Sequence, residues 1–287
     1  MIKTIYTICF LLTIGYVSGQ EVIHQTFKDT RIINTHSTET LQKRKLDFRV
    51  AHRFGDLAGV AGGWQTFYGL ENASDVGIGF DYGLTDNTMI GIHRTKGSSD
   101  LRQNVHGLMK IRLMRQEKGG NKPFSLAVLG MGSFSTMPGS SSEGVITNFA
   151  KTAHRMSYHV QVFLAKKFGE KISMQVGGAW TYRNLVPSTD QNDLASISGA
   201  FKYQMNRSFG IIIDANFPFS SIRNSDAGYY APIGIGLEWE TGGGHIFQLN
   251  FTNATGLAET DYLPNTRSNW GDGQYRLGFT IARQFNM

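Results

Sequence analysis

Twelve charged residues fall where an alternating pattern turns side chains away from an apolar face: Asp47, Arg49, Arg53, Asp81, Lys110, Arg112, Arg183, Lys202, Asp214, Glu238, Glu240 and Arg276. Lining a pore, such a set selects solutes by charge. Filling a lumen, it neutralises itself through salt bridges and blocks the way. Basic residues outnumber acidic ones slightly, so selection by this set would favour anions, weakly.

Other chemistry is poorly supported. Ser157 and His159 share one strand face, two residues apart, which is the start of a nucleophile–base pair if a third group orients the imidazole. That face is the polar one, and a polar lumen explains both residues, so no catalytic residue is assigned. The histidines (24, 36, 52, 93, 106, 154, 159 and 245) form no i, i+2 pair, and the single cysteine, Cys9, lies in the leader. No metal site and no cofactor are expected. The runs Gly59–Gly63 and Gly139–Gly144 do not join a strand to a helix as a phosphate-binding loop does. The formal charge of +6 suits anions or lipopolysaccharide phosphates; nothing points to nucleic acid.

The elements that must carry these residues are strands. Val76, Ile78, Phe80 and Tyr82 alternate with Asp75, Gly77, Gly79 and Asp81; Met156, Tyr158, Val160 and Val162 alternate with Ser157, His159 and Gln161. The pattern recurs about a dozen times and ends in Tyr275–Met287, which is apolar at every second position. Only Phe124–Ser135 is apolar on both faces and resists orientation. Tight turns at 84–87, 168–171, 205–208 and 241–244 take turns with long polar segments at 54–74, 136–152, 218–228 and 253–272. Short turns on one side and long loops on the other belong to transmembrane barrels. Prolines lie mainly in loops or at strand ends. Tyr82, Tyr182, Tyr203, Tyr229, Trp239 and Phe285 sit at strand ends, as an interfacial girdle requires.

Residues 1–19 are expected to be a cleavable secretory signal: Lys3, an apolar run from Ile5 to Val17, then Val17-Ser18-Gly19. Residues 20–44 are polar and mixed. They are expected at the periplasmic face or the lumen entrance, a plug being the other option. Residues 45–287 form the barrel.

Three stretches carry a family resemblance: Thr38-Glu-Thr-Leu41 running into Leu46–Gly55, Phe67–Ala73 running into Asp81–Asp86, and Phe251-Thr-Asn253 before the last strand. Together they resemble an uncharacterised family of bacterial membrane-bound β-barrels, a domain of unknown function. The resemblance implies the architecture over nearly the whole mature chain and brings no substrate or catalytic residue. Gly55 and Gly83 in these motifs are expected to end strands with backbone angles that other residues avoid.

The sequence therefore predicts an all-β protein: a closed antiparallel transmembrane β-barrel of about twelve strands in the bacterial outer membrane. Its expected role is a passive, porin-like channel for small solutes with weak anion preference. The alternative is a structural or ligand-binding barrel with a filled lumen, acting through its outer loops; a lipid hydrolase is a remote third. Expected partners are outer-membrane lipid, lipopolysaccharide and, through strand 275–287, the barrel-assembly machinery.

Overall fold

The computed structural model describes residues 21–23 and 25–287; the expected signal at 1–19, with Cys9, and His24 lie outside them. Twelve strands form one closed antiparallel ring. In chain order they are β1 Lys45–Asp56, β2 Ala73–Thr85, β3 Thr88–Lys96, β4 Gln103–Met114, β5 Ser125–Ser135 and β6 Met156–Phe168, then β7 Ile172–Arg183, β8 Asp193–Gln204, β9 Phe209–Phe219, β10 Ile233–Glu240, β11 His245–Thr252 and β12 Arg276–Asn286. Each strand pairs with the next, and β12 returns to β1 with Ile281 opposite Val50 and Asn286 opposite Lys45. Closure matters because a bilayer offers no water to an unpaired amide, and a ring has no edge.

The side-chain period of two sorts the ring into two surfaces. Outside stand Ile78, Phe80, Ile92, Val160, Val162, Val176 and Ile235, all large, apolar and well exposed. Inside, on the same strands, Asp75, Asp81, His93, His159 and Gln161 are buried. Such an outer band is stable only against hydrocarbon. Stacked rings mark its margins: Trp239 on Phe247 with centroids 5.3 Å apart at the turn end, and Trp180 on Tyr182 at 5.5 Å at the loop end.

The turn end carries the connections after β2, β6, β8 and β10, as the sequence requires. The connection between β4 and β5 is longer. Its Glu117–Lys118 pairs with Glu21–Val22, tying the start of the described chain to this end.

The interior departs from expectation in two places. Residues 25–44 go well beyond the lumen entrance: Asn34, Thr35, His36, Ser37 and Thr38 are fully buried within the ring. The connection after β11, expected to stand outside, folds inward as well. It carries α1, Glu259–Asn265, whose residues from Glu259 to Pro264 are all buried. These two segments explain why β5 is apolar on both faces. Ala127, Leu129 and Met131 point inward and join Met89, Leu108 and Phe163 around Leu41 of the N-terminal segment and Ala258 of the folded loop. A second cluster sets Phe27, Ile32 and Ile33 against Ala165, Ala200 and Ile212.

Gly55 and Gly83 are not left-handed, contrary to expectation; the positive-φ glycines lie elsewhere. A Cβ at Gly83 would lie 2.0 Å from the Gln42 carbonyl. Glycine is needed there because the backbone of the N-terminal segment lies directly against β2 at that point. At Gly55 a Cβ would crowd Gly69 and Asn72 at 3.1 Å.

Val162 sits mid-strand between Val128 and Gly178 on the outer face. Val162→Arg is expected to cost about 2–4 kcal/mol of folding free energy in lipid vesicles, read by urea titration. An unchanged midpoint would refute the assignment of this face to hydrocarbon.

Candidate functional site

The polar lumen and the segment inside it are matched charge to backbone. Lys110, projecting from β4, is fully buried, and its ammonium donates to three carbonyls of the segment: Thr30 at 2.8 Å, Glu39 at 2.9 Å and Ser37 at 3.0 Å. Asp214, projecting from β9, does the converse. One carboxylate oxygen accepts successive backbone N–H groups of Ile33, Asn34 and Thr35 at 3.1, 2.6 and 2.9 Å, and the other accepts the Asn34 side-chain amide at 2.8 Å. Residues 32–35 form a tight turn, with Ile32 N–H on the Thr35 carbonyl at 2.9 Å. Such a turn aims consecutive N–H groups at one anion. Residues 25–44 are thus a plug, held by the wall through its main chain.

Side-chain pairs extend the hold. Arg49 binds Asp29 of the plug at 2.8 and 2.5 Å and Asp47 of its own strand at 3.0 Å. Arg112 meets Glu39 at 3.1 Å. Arg53 donates to Asn34 at 2.8 Å and to the Gly256 carbonyl of the inward loop. Gln175 brackets the plug, giving a hydrogen bond to the His36 carbonyl at 2.7 Å and accepting one from Thr38 N–H at 3.0 Å.

The remaining charged residues of the sequence set serve the wall, the loops or the rims. Asp81 meets His93 at 2.9 Å, and Lys202 is paired with Glu238. Arg183 binds Asp190 of the following loop at 3.1 Å. Glu240 and Arg276 stand at opposite rims: Glu240 meets Lys28 at 2.7 Å at the turn end, and Arg276 meets Asp75 at 3.3 Å at the loop end. Asp75 has the strand parity of Asp81, so the alternation already placed it inside. Asp29, Glu39, Glu259 and Asp261 belong to the plug and loop, where no strand period pointed to them.

Ser157 and His159 share no hydrogen bond. The His159 ring nitrogens are engaged by Thr181 at 2.8 Å and Gln161 at 3.1 Å. Among the described residues, no group of three or more His, Cys, Asp or Glu side chains is placed to hold a metal ion.

Where plug meets inward loop, the wall offers little polar help. His36 Nε2 lies 3.9 Å from Glu259 Oε1, both side chains are buried, and neither has a hydrogen-bond partner within the described residues. Burial holds the imidazole well below its usual value, and the charges of Arg31, Lys110, His93 and Arg49 push the same way. The folded state therefore favours neutral His36. This contribution is complete above about pH 6.5 and is lost as the pH falls below it. Protease nicking within 25–44 is expected to rise between pH 7 and 5, and His36→Gln should flatten the rise; an unaltered slope would exclude His36 as its source. Lys110→Met leaves three carbonyls bare and is expected to lower unfolding free energy by on the order of 3 kcal/mol. A loss below about 0.5 kcal/mol in denaturant titration would show that the plug does not depend on this contact.

Solved structures with a similar overall form include a NanC porin (TM-score 0.49, 11% identity, covering 84% of this chain and 100% of the porin). A KdgM porin gives TM-score 0.49 at 7% identity over 85% of this chain and 99% of that one. An outer-membrane channel of Pseudomonas putida F1 gives 0.49 at 15% identity over 87% and 98%. No curated protein matches the chain. The model of one family, the Membrane bound beta barrel domain (DUF5777), matches residues 27–285, the plug together with the ring around it, and the chain belongs to that family.

Proposed function

We propose that the protein is a porin-like channel of the bacterial outer membrane, for small solutes, that rests shut with residues 25–44 as its stopper. The reading rests on one observation: the wall charges at the middle of the lumen are spent on the plug's main chain, through Lys110 and Asp214. Water and solutes can take over such polar contacts, so the plug can be exchanged for a hydrated path without rebuilding the ring. With the plug gone, Arg49, Arg112 and Lys110 lose the Asp29, Glu39 and carbonyl partners that occupy them. That supports a weak preference for anions in the open form. Exposed Arg94, Lys96 and Arg102 at the loop end suit lipopolysaccharide phosphates. The terminal strand 275–287 is the segment an assembly machinery would engage.

A second reading is favoured by the apolar seam around Leu41, Leu108 and Leu129: a permanently filled barrel that acts through its loops. Planar-bilayer recording separates the two. The full chain is expected to be silent or to open rarely; a variant lacking residues 20–44 should conduct steadily. Asp214→Ala, which keeps the whole chain, should raise the open fraction. Closed behaviour in both variants, with the barrel shown to be folded by heat-modifiable migration, would leave the filled barrel standing and remove the channel.

A further inference from the structure

We infer that the lumen holds a small inorganic anion, of halide to phosphate size, in a cationic cavity shared by plug and wall. The cavity gives about 40 Å³ of room for water centres. A single water needs roughly 10–15 Å³ by that measure, so the space suits about three waters or one small anion. Arg31 borders it from the plug, Arg49, Arg53, His93 and His106 from the wall, and Leu257 from the inward loop. Three arginines and three histidines, His52 with the two already named, thus line it, and no carboxylate is among the lining residues. The nearby acids each have a partner, Asp29 and Asp47 in Arg49 and Asp81 in His93, although Asp47 Oδ1 and Asp81 Oδ2 accept no hydrogen bond among the described residues.

Arg31 is the residue the rest of the lumen does not account for. Its hydrogen bond to the Leu257 carbonyl is long, 3.5 Å. Among the described residues its Nε is buried without a partner, and so is that of Arg49. Buried N–H donors left bare are costly, those of a charged group more so. An anion in the cavity beside Arg31 offsets the crowding of like charge there. Because plug, wall and loop all contribute, the anion binds only the plugged form and stabilises it by mass action. The site does not depend on whether the pore conducts.

The test is thermal melting of the purified full chain in detergent, in sodium gluconate, bromide or phosphate at matched ionic strength. Gluconate is too large for the cavity. The melting temperature is expected to rise with the logarithm of bromide or phosphate concentration and to stay level in gluconate; the two arms distinguish a halide from an oxyanion. Arg31→Gln should abolish the rise, and Arg31→Lys should keep part of it. Bromide-soaked wild-type crystals provide a check that needs no variant, through an anomalous peak beside Arg31 and Arg49. Equal melting in all three salts without such a peak overturns the site. So does a rise that persists undiminished in Arg31→Gln, because the anion then binds elsewhere.

Discussion

Charge buried away from water must be compensated where it lies, and the lumen of this barrel is built around that demand. Lys110 and Asp214 stand on strands five apart in a ring of twelve, so they face each other across the interior. Neither relies on an opposite side-chain charge for its hydrogen bonds. Each is satisfied by backbone dipoles, carbonyls for the ammonium and N–H groups for the carboxylate. One short stretch of chain, residues 30–39, serves both. That arrangement fixes the plug's position along the barrel and its orientation about the axis.

Apolar contact does a different job. The clusters around Leu41 and around Phe27 and Ile33 lie where the plug meets particular sectors of wall: β3, β4, β5 and β6 for the first, β6, β8 and β9 for the second. Burial of this kind is non-directional. It favours enclosure of the segment without specifying its register, which the hydrogen bonds supply. The division resembles that of a soluble domain turned inside out. The grease toward lipid sets where the ring sits, and the small greasy patches within help to hold what fills it.

The ring was legible in the sequence because a strand's period of two survives in every segment that divides lipid from lumen. Ile78 and Asp81, or Val162 and Gln161, declare their faces by parity alone. The plug was not legible for the same reason. At Lys110 and Asp214 residues 25–44 are held through main-chain groups, and main-chain groups leave no trace in residue type. Its shadow was present, however. Phe124–Ser135 resisted orientation because Leu129 and Met131 have apolar company inside, and Gly83 was read as a backbone device when its role is to clear Gln42. The loop after β11 misled because Glu259, Thr260 and Asp261 look like residues for water; in place, Asn104 donates to Asp261 at 3.1 Å and Thr260 shares a hydrogen bond with Ser133 at 2.8 Å.

The seam between β12 and β1 joins segments more than two hundred residues apart, and Met287 donates its N–H to the Arg44 carbonyl at 2.9 Å, where plug becomes wall. The first-made part of the described chain is therefore sealed in by the last. Both ends of the plug lie at the turn end, so a ring that closed first would take it up only as a folded-back polar loop through that mouth. Closing the seam pairs segments at the two ends of the ring sequence, and contacts so distant form slowly.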